Sequence, residues 1–364
     1  MRVLIRLVLV ALIGITSGLP SYAAPTREYF ANRDDVSQFA TQMAEQYGFT
    51  ETDLLALFAH TQAMPKVIAL MQPPVEPQAR SWLAYRQRFV EAKRIAAGRK
   101  FMVRHGDALA QAEGAYGVPR EVVAAIIGVE TLYGRNTGRV NTLAALSTLA
   151  FNYPSRADLF RHELSEFLLL ARDAKRDPRS YKSSYAGALG LPQFLPSSIR
   201  SYAVDFDKDG VIDLSKNPDD AIGSVASFLY LHGWQAGAPI ALMVNASGDG
   251  LNEVLANGVN LSFLPSETEK LKLMISPVGA DETNTKPETT MLQGGRAKDA
   301  LCAVACGDTQ SFPEFPAALV DFTSPNAPTE YRLGYQNFYV LTRYNRSRFY
   351  AAAVMDLAAE LKKP

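Results

Sequence analysis

The sequence predicts a mainly helical chain of the α+β class with one small strand-rich insert. Three observations carry this expectation. Apolar residues recur at spacings of three and four from Ala24 to about Trp234. After Gly237 the character changes to short apolar runs broken by Gly, Asn and Pro, the pattern of strands. From Asn337 to Leu361 the chain turns aromatic and then helical again. No internal repeat is visible.

Residues 1–23 read as a signal peptide. Met1-Arg2 and Arg6 supply positive charge, Leu7 to Ile15 an apolar run, and Ser21-Tyr22-Ala23 small residues at the −3 and −1 positions of a cleavage site. The apolar run is about half the roughly 20 residues that cross a bilayer, so cleavage after Ala23 is expected rather than stable membrane insertion. Cys302 and Cys306 are the two cysteines and neither adjoins the signal, which argues against lipid attachment. A soluble monomer of the periplasm is the resulting expectation. In that oxidising compartment the two cysteines are expected to pair, with buried free thiols as the alternative. Lysine plus arginine and aspartate plus glutamate both number 37, so no global field favours nucleic acid. His60, His105, His162 and His232 form no zinc-ligand spacing, which disfavours a metal-dependent peptidase.

Residues 24–104 form a helical N-terminal region. Leu54, Leu55, Leu57 and Phe58, then Trp82, Tyr85, Phe89 and Ala92, keep helical spacing, and Pro73, Pro74 and Pro77 interrupt it. Residues 105–238 continue as helices joined by turns rich in Gly, Asn and Pro. In 239–325 the runs Ile240–Val244, Leu261–Leu264 and Leu271–Ile275 read as strands, and 280–300 as a polar loop. Residues 326–364 return to the helical core.

One segment draws attention chemically. Pro119 suits a first helical position and Glu121 the positive helix end. Val122 to Val129 is almost wholly apolar, so this helix is buried on most sides, and Gly134 and Asn136 end it. Glu130 lies in line with Val123 and Ile127 at helical spacing. A carboxyl in such surroundings either pairs, for instance with Arg135 or Arg139, or keeps its proton. A retained proton near neutral pH suits a general acid.

The run Val118-Pro119 through Ile127-Gly128-Val129-Glu130-Thr131-Leu132-Tyr133-Gly134 closely resembles the catalytic segment of the lytic transglycosylase B family. Gly187-Ala188-Leu189-Gly190-Leu191-Pro192-Gln193-Phe194-Leu195-Pro196-Ser197-Ser198, Asp220-Ala221-Ile222-Gly223 leading to His232-Gly233-Trp234, and Asn337 to Ser347 are similar to further blocks of that family, in the same order. The resemblance runs from about Trp82 to Ala359. It implies a lysozyme-like helical catalytic core at 105–238. It also implies cleavage of the β-1,4 bond between N-acetylmuramic acid and N-acetylglucosamine in peptidoglycan glycan strands, with a 1,6-anhydro product and no added water. Glu130 would act as acid and then as base, and no cofactor would take part. Ser184, Gln193, Tyr344, Asn345 and Tyr350 would contact substrate or hold the glutamate. Phe228 stands where the family pattern has a sugar-contacting tyrosine. Other cell-wall enzymes are the protein partners the resemblance allows. The alternatives are a hydrolytic lysozyme-like glycosidase and a peptidoglycan-binding scaffold without catalysis.

Asp205, Asp207, Asp209 and Gly210 fit positions 1, 3, 5 and 6 of a calcium loop, with the Val211 carbonyl at position 7. Lys216 stands where the closing glutamate belongs. Loops of the resembling family close later, with Asp220 preferred and Asp219 the simpler count, so a structural calcium is expected.

Overall fold

The computed structural model describes residues 28–72, 81–278 and 312–364. The signal segment, Pro73, Pro74, Pro77, the 280–300 loop and both cysteines lie outside these residues.

Five helices open the chain: α1 (Asp34–Tyr47), α2 (Glu51–Ala59), α3 (Pro65–Met71), α4 (Trp82–Phe89) and α5 (Ala92–Arg104). Then come α6 (Gly106–Tyr116) and α7 (Arg120–Thr131), followed by the short strand β1 (Val140–Asn141), α8 (Thr142–Asn152) and α9 (Ala157–Asp173). β2 (Lys182–Ser183) pairs antiparallel with β1, placing Val140 opposite Ser183. α10 (Pro196–Tyr202) and α11 (Pro218–Leu231) complete the helical body.

β3 (Ala241–Ser247), α12 (Leu251–Ala256), β4 (Met274–Pro277), β5 (Ala318–Phe322) and β6 (Glu330–Gly334) follow. The four strands form an antiparallel sheet in the order β4-β3-β6-β5. α13 (Gln336–Tyr344) and α14 (Arg348–Lys362) then lead back into the helical core. The run Leu261–Leu264 is not a strand. Only Phe263 makes a bridge, to Ala317, and its ring joins the small apolar cluster beneath the sheet while Leu261 packs on the main core.

Alternation along β5 explains how the sheet joins the body. Leu319 pairs with Leu333 on the face over the small cluster that includes Val254, Phe263 and Leu273. Ala318, Val320 and Phe322 face the main core, where Phe322 meets Trp82 at 4.9 Å between ring centroids. Arg332, only 1% exposed, is ion-paired with Asp356 of α14 at 2.7 Å and with Glu330 at 2.6 Å. Burial of a guanidinium is tolerable only with such partners. The sheet is thereby locked to α14, the helix that carries Tyr350.

α7 is the central helix. Every residue from Val122 to Val129 is buried, and the helix packs against α14, α5, α6 and α11. Two details differ from expectation. Pro119 is the N-cap in an extended conformation (ψ 137°), not the first helical residue. The helix ends at Thr131 without help from glycine. Leu132 and Tyr133 are both left-handed (φ 52° and 58°), and Asn136 N–H closes the turn on the Thr131 carbonyl at 2.9 Å. Each non-glycine residue in that region costs on the order of 1–2 kcal/mol, so the surrounding core must hold the turn.

Candidate active site

Glu130 is the penultimate residue of α7. Its Oε1 accepts a hydrogen bond from the Tyr350 hydroxyl at 2.7 Å. Among the described residues it forms no ion pair with Arg135, Arg139 or any other cation. Burial pushes its carboxyl up to about 7, and the Tyr350 hydrogen bond opposes that rise. Tyr350 occupies the first turn of α14, where the Ser347 side chain caps the helix by accepting the Tyr350 N–H. Its ring is 2% exposed and stacks on Tyr344 at 6.1 Å and 10°. Tyr350 therefore holds the carboxyl, and its buried ring offers no face to a sugar. Tyr85, on α4, completes the surroundings. Burial first, and then the charge of Glu130, push its phenol upward. Aromatic spacing alone gave no hint of that neighbour.

The three segments that carry the other candidate residues are free of carboxylates, whereas the α4–α5 junction beyond Tyr85 carries Glu91. Residues 131–157, 178–204 and 331–355 contain no aspartate or glutamate. Ser184 and Gln193 both come from the segment between β2 and α10. The Ser184 hydroxyl accepts the Ala188 N–H at 3.1 Å. Gly138 permits the loop after α7 to lie on that segment, since a Cβ there would stand 2.1 Å from the Ser183 carbonyl oxygen. Gln193 is left-handed (φ 53°). Its Nε2 donates to the Gly190 and Thr137 carbonyls at 2.9 and 3.2 Å, leaving Oε1 to accept from a ligand N–H. Tyr344 donates its hydroxyl to the Pro192 carbonyl at 2.6 Å, which ties α13 to the Gln193 loop. Asn345 follows as an exposed, extended residue whose side-chain amide makes no hydrogen bond among the described residues. Phe228 is buried, stacked on His232 at 4.0 Å and close to Tyr344 and Tyr202, so its ring packs the interior.

Other matched motif residues serve as stitching. Buried Asn337 accepts the Gln235 N–H and donates to the Gln235 and Ala238 carbonyls. Trp234 donates to the Gly117 carbonyl at 3.1 Å, and Ser197 donates twice to buried Glu163.

The carboxylates of Asp205, Asp207 and Asp209 offer oxygens within 4.8 Å of one another. The Asp205 carboxylate accepts Asp209 and Gly210 N–H groups at 3.1 and 2.8 Å, folding the loop around the three acids. This donor set and geometry fit a calcium ion. Val211 follows, its N–H donating to Asp209 Oδ1. Asp220 is not one of these three, although the charges of Asp207 and Asp205 reach it. It is fully buried, and its two oxygens accept the Phe206 and Asp213 N–H groups, both at 2.8 Å. It is the loop's backbone anchor, while Asp219 faces His105 at 3.6 Å.

A buried carboxyl without an ion-pair partner among the described residues, raised towards neutrality and braced by a phenol, suits acid–base chemistry. Residues 31–359 match the transglycosylase SLT domain family. The chain is 37% identical over 337 residues to membrane-bound lytic murein transglycosylase B of Escherichia coli (strain K12), covering 90% of this chain and 82% of that protein. The crystal structure of soluble lytic transglycosylase SltB1 from Pseudomonas aeruginosa shares 39% identity and a TM-score of 0.75, over 90% of this chain and 97% of that one. Escherichia coli lytic transglycosylase Slt35, solved in complex with calcium, shares 36% identity and a TM-score of 0.74, over 91% and 94%. The chain belongs to the transglycosylase SLT domain family and is a lytic transglycosylase of peptidoglycan.

Proposed function

We propose that this enzyme cleaves the β-1,4 bond between N-acetylmuramic acid and N-acetylglucosamine with Glu130 alone, leaving a 1,6-anhydro end. Glu130 gives its proton to the bridging oxygen as the bond from the muramic C1 breaks. The muramic N-acetyl oxygen stabilises the positive charge that develops at C1. Glu130, now a carboxylate, takes the proton of the sugar's own 6-hydroxyl, whose oxygen closes on C1 and releases the acetamido group. Atoms balance without water.

The observation that carries this reading is a single carboxyl, raised to about 7 by burial with the Tyr350 hydrogen bond acting against it, and the segments that carry Ser184, Gln193, Tyr344, Asn345 and Tyr350 supply no second acid. A two-carboxylate glycosidase requires a partner acid about 5–10 Å away. Gln193 Oε1, Ser184 and Asn345 hold the acetamido groups, and Tyr350 keeps Glu130 in place. Digestion of purified sacculi in 18O-labelled water tests the chemistry. The proposed route places no solvent oxygen in the product, and one labelled oxygen per cut would mean hydrolysis.

Calcium binds at Asp205, Asp207, Asp209 and the Val211 carbonyl and stiffens the loop without entering the reaction. The calcium complex of Slt35 supports that reading. The exported form starts at Ala24, and peptidoglycan is reached in the periplasm. Among the described residues no helix is long and apolar enough to cross a membrane.

A further inference from the structure

The loop that carries Gln193 is closed at its neck, where Leu189 and Phe194 exchange both backbone hydrogen bonds, at 2.8 and 3.1 Å. Gly190 must be glycine, since a Cβ there would lie 2.5 Å from the Leu214 carbonyl oxygen. Three successive carbonyls of this loop each have a side-chain donor. Gly190 O takes Gln193 itself, Pro192 O takes Tyr344, and Leu191 O takes the hydroxyl of Thr131 at 3.0 Å.

Thr131 is the residue after Glu130 and is 0% exposed. Its single hydroxyl proton has a second acceptor within reach, the Ile127 carbonyl at 3.2 Å. That carbonyl already receives the Tyr133 N–H at 3.4 Å. Leu191 O has no other donor among the described residues, so the proton belongs to Leu191. The same hydroxyl oxygen accepts the Gly134 N–H at 3.0 Å, on the left-handed turn that ends α7. One buried hydroxyl therefore satisfies two backbone groups in two different segments, and the carbonyl of buried Leu191 has no ready recourse to water if it is lost.

We propose that Thr131 is a positioning residue of the reaction. It ties the helix end that presents Glu130 to the loop that presents Gln193, so the acid and the sugar-binding amide keep one fixed separation. The proposal rests on the reading of Gln193 given above. Its physical need lies in Gln193 itself. A glutamine held left-handed relaxes unless its surroundings over-determine it. Tyr344 secures the loop from α13, and Thr131 secures it from the catalytic helix.

The test uses the full mature chain with Thr131→Val, Thr131→Ser, Gln193→Ala and the Thr131→Val/Gln193→Ala pair. Amide hydrogen exchange across residues 187–195 should quicken in Thr131→Val and match the wild type in Thr131→Ser. Unchanged exchange in the valine variant overturns the tie. On purified glycan strands Thr131→Val should lower kcat/KM about 10- to 100-fold, the scale of a displaced catalytic geometry, and serine should restore it. The double variant should be no slower than the slower single variant, because both changes remove the same placement. Independent, multiplying losses would reveal a merely structural threonine and overturn the proposal. Thr131→Cys, of similar size but a poorer donor, carries both readouts if the valine variant does not fold. Full activity in Gln193→Ala would refute the sugar-binding reading alone, and the exchange data would still decide the tie.

Discussion

The hydroxyl of Tyr350 reaches Oε1 of Glu130 across 2.7 Å, joining the first turn of α14 to the last turn of α7 over 220 positions of sequence. Two opposed influences meet at that carboxyl. Burial favours its neutral form and the phenol favours its charged form, and the result is an acid near pH 7. Such a group is able to give a proton and take one back within a single turnover.

Glu130→Gln should fold as the wild type does and release almost no product. The amide keeps the shape and can still accept the Tyr350 hydroxyl, yet it transfers no proton. A loss of at least about 100-fold in turnover on sacculi is expected, the usual contribution of general acid–base catalysis. Wild-type turnover in this variant would remove Glu130 from the mechanism.

Stability should respond to pH through the same group. The folded carboxyl titrates near 7, against 4.5 for the ordinary side chain. The folded state therefore holds a proton that the unfolded chain releases between these values. This contribution is complete below about pH 4.5 and is lost as pH rises through about 7, amounting to roughly 3 kcal/mol. Melting temperatures from pH 5 to 8 should show Glu130→Gln gaining on the wild type as pH rises. A constant difference would mean that the carboxyl is not perturbed.

Tyr350→Phe removes the influence that lowers the Glu130 titration. The alkaline limb of kcat/KM, where the acid loses its proton, should move to higher pH than in the wild type. The rate at the optimum should fall about ten-fold, the scale of a lost hydrogen bond to a charged group. A limb that stays in place, or moves to lower pH, would contradict the assigned contact.

Calcium added to metal-stripped protein should raise Tm by binding the folded loop selectively. Asp205→Ala with Asp209→Ala should abolish that response. Asp220→Ala should lower Tm even without calcium, because it strips the acceptor from the Phe206 and Asp213 N–H groups. A wild-type protein indifferent to calcium would refute the site, and an Asp220→Ala protein as stable as the wild type would refute the anchor.

Much of this site is readable from local sequence, and the exceptions share a cause. Glu130 stands out because its helix is apolar from Val122 to Val129, a pattern that burial alone explains. The acids at 205, 207 and 209 are legible as a cluster because their alternate spacing within one tight loop brings three carboxylates together. The Tyr350 contact was not legible, since packing of α14 on α7 creates it and no local pattern encodes that packing. Asp220 reads as a ligand because it opens the Asp-Ala-Ile-Gly block, whereas in α11 both its oxygens accept backbone N–H groups. Gly134 and Asn136 read as the end of α7 because glycine and asparagine are the usual left-handed residues. The core instead holds Leu132 and Tyr133 in that conformation. Leu261–Leu264 has strand composition but puts Phe263 in the cluster beneath the sheet and Leu261 on the main core, which short apolar runs cannot signal.

The central claim is that one carboxyl completes the cut without water, and mass spectrometry of the fragments released from purified sacculi tests it most directly. The account predicts disaccharide-peptides ending in 1,6-anhydromuramic acid, lighter by one water than hydrolytic fragments and inert to borohydride. Fragments with reducing muramic acid ends, converted by borohydride, would contradict it.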